Sequence, residues 1–126
     1  MIMATAAKPT ILVADDEQGI RTLLIDVLQE KGFKVLGASD GTEAFDLLGQ
    51  HQEIDLLLTD INMPGHNGCS VAHEARKHHP GLPVVFISGR YEDVRQLCGV
   101  DGSRFLRKPF RLKFLIEALN EELRCR

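Results

Sequence analysis

The run Ile54-Asp55-Leu56-Leu57-Leu58-Thr59-Asp60 places three leucines in a row with no polar alternation. Successive side chains of a strand point to opposite faces, so this run is apolar on both. Such a strand, expected over Ile54–Thr59, has to be covered from two sides, the situation of a parallel sheet under helices. The run then ends abruptly in Asp60, followed by Ile61-Asn62-Met63-Pro64-Gly65. A carboxylate at the C-terminal tip of a buried strand lies where open α/β sheets place their chemistry.

Four further apolar runs share the pattern. Thr10–Ala14 is stopped by Asp15-Asp16, Lys34–Ala38 is weaker, Val84–Ser88 ends in a hydroxyl, and Arg104–Arg107 runs into Lys108-Pro109. Between them lie stretches with helical spacing. Glu17–Lys31 carries Ile20, Leu23, Leu24, Val27 and Leu28, and Gly32 closes it. Thr42–Gln50 has Ala44, Phe45, Leu47 and Leu48 on one side, and Gly68–His79 has the small face Cys69, Val71, Ala72 and Ala75. Tyr91–Cys98 predicts two turns, and Leu112–Leu123 sets Leu112, Leu115, Ile116, Leu119 and Leu123 on one face. Strict βα alternation with right-handed crossovers predicts a parallel five-stranded sheet with helices on both sides. Residues 1–9 are expected to form an N-terminal extension to a domain over 10–126.

Bulk properties narrow the function classes. No stretch of the 126 residues approaches the roughly 18 apolar positions of a membrane helix, and the start, Met1–Lys8, lacks a signal pattern. A cytoplasmic protein is expected. Cys69, Cys98 and Cys125 are odd in number and widely spaced, and read as reduced thiols. The net charge of −3 argues against direct nucleic-acid binding. It is uneven, however, with −6 over residues 1–100 and +3 over 101–126. For a protein partner, a cationic face around Arg104, Arg107, Arg111 and Lys113 stays open. His73, His78 and His79 share a helix, but nothing completes a metal site around them, and they read as solvated helix-end residues.

The strand ends carry the chemistry. Asp15, Asp16 and Asp60 come together if their strands pair. Three carboxylates at close quarters either share a proton or bind a cation. Hard oxygen donors with partial solvent access favour Mg2+. One of the first two acids could instead cap the following helix. Asp60 is the nucleophile of choice, a carboxylate suited to forming an aspartyl-phosphate. Phosphoryl transfer asks for in-line placement and charge neutralisation. Lys108 supplies charge and Ser88 a hydrogen bond. The Lys108–Pro109 bond can adopt a cis geometry, which would turn the lysine toward the site.

Four segments, Ile11-Leu12-Val13-Ala14-Asp15-Asp16-Glu17, Asp60-Ile61-Asn62-Met63-Pro64-Gly65, Phe86-Ile87-Ser88-Gly89 and Phe105-Leu106-Arg107-Lys108-Pro109-Phe110, together resemble the receiver domain of two-component response regulators. The resemblance covers nearly the whole chain. It implies a flavodoxin-like three-layer sandwich, CheY-like, with strand order 2-1-3-4-5 and five helices. It also implies that Asp60 accepts phosphate from a histidine kinase or histidine phosphotransfer protein. Asp16, Asp60 and the Asn62 carbonyl would hold Mg2+, with Asp15 acting mainly through water. Ser88 and Lys108 would grip the phosphoryl group, and Phe105 would turn inward as Ser88 moves. Two departures stand out: many receivers carry Tyr where Phe105 stands, and the stretch from Ser88 to Lys108 is short.

With no second domain after residue 126, the expectation is a stand-alone regulator acting by protein contact or phosphorelay, as a monomer or weak homodimer. The competing reading is the receiver module of a larger hybrid histidine kinase. A magnesium phosphatase of the haloacid dehalogenase type needs a second acid where this chain has Asn62. An FMN carrier of the same sheet order needs a phosphate-binding first loop, which Asp15-Asp16-Glu17 would repel.

Overall fold

The computed structural model describes residues 8–89, 100 and 102–124. Five strands, β1 (Thr10–Ala14), β2 (Lys34–Ala38), β3 (Ile54–Asp60), β4 (Val84–Ser88) and β5 (Arg104–Arg107), form one parallel sheet in the order β2-β1-β3-β4-β5. Four helices accompany them among the described residues: α1 (Gln18–Glu30), α2 (Gly41–Gln50), α3 (Gly68–His78) and α4 (Leu112–Arg124). The helix expected over Tyr91–Cys98 lies outside the described residues, so four helices are counted rather than five.

The period of two divides the core between the faces. Leu12, Ala14, Leu57 and Phe86 pack with Ala44 and Leu48 of α2 and Val71, Ala72 and Ala75 of α3. Ile11, Val13, Leu56, Leu58, Val85 and Ile87 pack on the other face with Leu24 and Leu28 of α1 and Leu115 and Leu119 of α4. This is the doubly wound, flavodoxin-like arrangement. Asp55, the polar interruption in the β3 run, accepts the Thr10 N–H at 2.8 Å, where the β1–β3 register shifts. α1 ends as expected: Gly32 takes φ +96°, and the Phe33 N–H reaches back to the Leu28 carbonyl at 3.0 Å.

Several expectations need correction. Leu23 is 50% exposed and Leu112 also faces solvent, because each sits at the rim of its helix's apolar stripe, beyond the reach of the sheet. Cys69 is disulfide-bonded, so it is not a reduced thiol, and residues 98 and 125 lie outside the described residues. Separation along the chain is a poor guide to closeness in a wound sheet. Arg104 is no free docking charge: its guanidinium bonds Glu121 at 2.7 Å and Glu122 at 3.2 Å, and the Glu121 bond first among these contacts raises its pKa. His79 is half-buried, with Nε2 enclosed, whereas His73 and His78 are exposed as expected, His78 meeting Glu74 at 3.1 Å.

Candidate functional site

Strand register assembles the site. Ala14 pairs with Thr59, so Asp15 follows β1 beside Asp60 at the end of β3. Asp60 pairs with Ile87, which sets Ser88 one step further along β4, and Ser88 pairs with Arg107, immediately before Lys108. Each polar residue therefore emerges where its strand stops. Asp15, Asp60 and Ser88 are buried, whereas Asp16 and Asn62 are exposed. The Lys108–Pro109 bond is cis, the geometry that the sequence left open.

The Lys108 ammonium is the electrostatic hub. Its Nζ lies 3.2 Å from Asp60 Oδ2, 3.5 Å from Glu17 Oε1 and 3.6 Å from Asp15 Oδ2. Burial alone would lower the lysine's pKa, but the nearby Asp15 and Asp60 charges outweigh it, and the net direction is up. Asp60 Oδ1 accepts the Ile61 N–H at 2.7 Å, which fixes the carboxylate against its own loop. Asp15 Oδ1 accepts the Glu17 N–H at 2.9 Å. Neither Asp15 nor Asp16 caps α1, whose N-cap position is Glu17, without a side-chain bond.

The donor set suits a hard cation. Asp15, Asp16 and Asp60 each offer an oxygen, and these atoms lie within 4.8 Å of one another. Asp15 Oδ2 is buried yet accepts no hydrogen bond among the described residues. Oxygen-only donors of this charge fit a divalent ion of the magnesium or calcium kind.

The comparisons with known proteins agree with this geometry. The family model described as response regulator receiver domain matches residues 11–120. The chain belongs to that family. Its relatives include the sensor kinase CckA of Brucella abortus (strain 2308), 35% identical over 117 residues, which are 90% of this chain and 12% of the relative. The transcriptional regulatory protein CpxR of Escherichia coli (strain K12) is 34% identical over 116 residues, 90% of this chain and 49% of the relative. The receiver thus spans about half the length of one curated relative and far less of the other. Among solved structures, a response regulator receiver protein from Sinorhizobium medicae WSM419 superposes with a TM-score of 0.87 at 36% identity, covering 93% of this chain and 95% of that one. No helix among the described residues is long and apolar enough to cross a membrane.

The receiver's site also contains residues that sequence reasoning passed over. Glu17 shares the Lys108 charge, and Arg21 Nη1 donates to the Asp15 carbonyl at 2.8 Å. A signal for Arg21 existed: a cation in a helix's first turns opposes the macrodipole and calls for a specific acceptor. Phe105 is half-buried and packs on the α2–α3 side of the core.

Burial is the largest influence on the receiver's Asp15, and its pKa is raised despite the Glu17 N–H and Lys108. A folded-state value above the unfolded one means the folded chain binds the proton more tightly. That contribution is complete below the unfolded pKa and is lost as pH rises through the folded one. Charged Asp15 therefore costs stability at neutral pH without metal. Asp15→Asn keeps an acceptor for the Glu17 N–H and removes the charge. It should raise the metal-free Tm at pH 7, by roughly 4 °C for each 1 kcal/mol of cost relieved. Melts across pH check this, because the advantage should close below about pH 4. A gap that is constant with pH would assign the effect to packing.

Proposed function

We infer that this receiver domain takes a phosphoryl group on Asp60 from a histidine kinase or a histidine phosphotransfer protein and signals by conformational change and protein contact. The contact that carries the reading is Lys108 Nζ at 3.2 Å from Asp60 Oδ2, within a cluster of three carboxylates. An ammonium so placed neutralises a phosphoryl oxygen as readily as the carboxylate it now faces. A carboxylate oxygen of Asp60 attacks phosphorus, the P–N bond to the donor imidazole breaks, and the leaving nitrogen recovers a proton. Asp15, Asp16 and Asp60 with the Asn62 carbonyl would hold Mg2+, which when bound offsets the charge of the carboxylates and the incoming phosphoryl oxygens. The Ser88 hydroxyl would bond a further phosphoryl oxygen and Lys108 another. Phe86 pairs with Phe105 across β4 and β5, two residues before Ser88, and this supports Ser88 and Phe105 as the moving pair.

A cytoplasmic, stand-alone regulator, monomeric or weakly dimeric, is the preferred setting. The alternative is the receiver module of a hybrid kinase, in keeping with the sensor-kinase relative. The full open reading frame separates the two. The functional reading is tested with acetyl phosphate and Mg2+, followed by intact-mass measurement. One phosphoryl adduct is expected, and chelation should prevent it. Labelling that survives chelation would overturn the metal assignment, and no labelling under any condition would overturn the acceptor reading.

A further inference from the structure

The loop over residues 61–67 joins the acceptor strand to α3, and it contains the Asn62 carbonyl assigned to the metal above. Much of it is exposed, with only Ile61 and Met63 buried. An exposed loop is ordinarily drawn from the low-stability end of a structure. A metal site built partly on its backbone needs that backbone held still before the ion arrives.

Several contacts do the holding. Gly68 donates its N–H to the Ile61 carbonyl at 2.8 Å, closing the loop on itself, and a Cβ on Gly68 would lie 2.1 Å from the Asp60 carbonyl oxygen. Gly41, first residue of α2, donates to the Pro64 carbonyl at 3.1 Å. Its bare α-carbon lies against the backbone of His66, where a Cβ would come within 1.9 Å of the carbonyl oxygen. All of these are backbone contacts, each hydrogen bond contributing only about 1 kcal/mol net. A side-chain contact adds to them. The His66 imidazole stacks on the Phe45 ring with centroids 3.9 Å apart and planes 15° from parallel. Phe45 is half-buried and packs against the α2–α3 side of the core, so the exposed loop is fastened to a ring with a core anchor.

We propose that His66 is a positioning residue, whose stack on Phe45 holds the loop in the geometry that presents the Asn62 carbonyl and the Asp60 carboxylate, and thereby strengthens divalent-cation binding at the acidic cluster. The proposal rests on the receiver-site reading given above. Its specific content is that the ring at position 66, rather than its charge or hydrogen bonding, sets the loop.

The test compares wild type with His66→Ala, His66→Tyr and Phe45→Leu. In metal-free protein, amide exchange at Gly41 and Gly68 reports loop fastening, and a Mg2+ titration followed by amide shifts gives Kd. Loss of the stack in His66→Ala should speed exchange at both glycines by about two- to tenfold and weaken Mg2+ by a similar factor. His66→Tyr, which retains a ring, should stay within about twofold of wild type on both measures. Phe45→Leu should follow His66→Ala, and because Phe45 also packs on the core, the His66 variants decide. Unchanged exchange and Kd in His66→Ala would overturn the proposal, as would a His66→Tyr as weak as His66→Ala. Acetyl phosphate labelling of wild type separates the two layers. If wild type labels and His66→Ala binds Mg2+ normally, the positioning role alone fails. If wild type never labels while His66→Ala still loses Mg2+ affinity, the positioning role stands and the acceptor reading fails.

Discussion

Asp60→Asn is expected to abolish phosphoryl uptake from acetyl phosphate, by at least about a thousandfold, because an amide oxygen lacks the charge and lone-pair basicity of an attacking carboxylate. The substitution is nearly isosteric. Asn can keep the 2.7 Å bond from the Ile61 N–H through its carbonyl oxygen. It also removes one of the negative charges that face Asp15, which counts among the influences raising the Asp15 pKa. Against that relief stands the loss of the 3.2 Å ion pair with Lys108, which keeps Asp15 and Glu17 as partners. The variant should therefore melt close to wild type in metal-free buffer. Loss of labelling with an unchanged or higher Tm would locate the effect in the chemistry. Intact mass followed by peptide mapping checks both halves: in wild type the adduct should fall on the peptide containing Asp60. An adduct on Asp15 or Asp16, or equal labelling of wild type and variant, would show that the nucleophile has been misassigned.

The residues that position this chemistry differ in how far the sequence disclosed them. Strand identity was legible because apolar runs end in punctuation: β1, β2, β4 and β5 have the bounds expected from their flanking Asp, Gly, Pro and Lys residues. The strand ends then placed Asp15, Asp60, Ser88 and Lys108 on one edge, since parallel register leaves little freedom once strand order is set. What stayed hidden depends on distance in space rather than pattern along the chain. Leu23 obeys helical spacing yet is half exposed, because periodicity gives the apolar stripe but not the width of sheet available to cover it. Glu17 read as a helix-start acid, and only the fold shows that it competes for Lys108. The ion pairs of Arg104 with Glu121 and Glu122 bridge β5 and α4, elements whose docking angle no local pattern encodes. The His66–Phe45 stack joins a loop to a helix twenty-one positions earlier, and nothing in either segment announces it.

Lys108→Ala should have the largest effect on stability, and its dependence on pH distinguishes charge from packing. The lysine side chain is only partly exposed and lies within 3.6 Å of Asp15, Asp60 and Glu17. Removing one partner of a buried ion group leaves the others uncompensated. Because this ammonium retains some water, we expect a loss of about 2 kcal/mol, less than for a fully buried pair, or roughly 8 °C in Tm without metal. The raised pKa of Lys108 fixes the sign at high pH: its contribution is fully present at neutral pH and is lost as pH climbs through the folded-state value, above the ordinary lysine range. At low pH the acids bind protons and no longer need the cation, so the deficit of the variant should shrink below about pH 4. Between these limits Asp15, already raised by burial, should rise further without the ammonium, and the variant should lose stability as pH increases from the carboxylate range toward neutral. Saturating Mg2+ should recover part of the loss by supplying the missing positive charge, and should do so more in the variant than in wild type. Phosphoryl uptake should fall by about a hundredfold or more, since a donor aimed at the developing charge has been removed. The amide shifts expected around Phe105 on phosphorylation of wild type should be absent in the variant. Thermal melts across pH, with and without Mg2+, decide the electrostatic part. A deficit that is independent of pH and untouched by Mg2+ would mean that Lys108 acts through the packing of its aliphatic stem, and the charge argument for the site would fall with it.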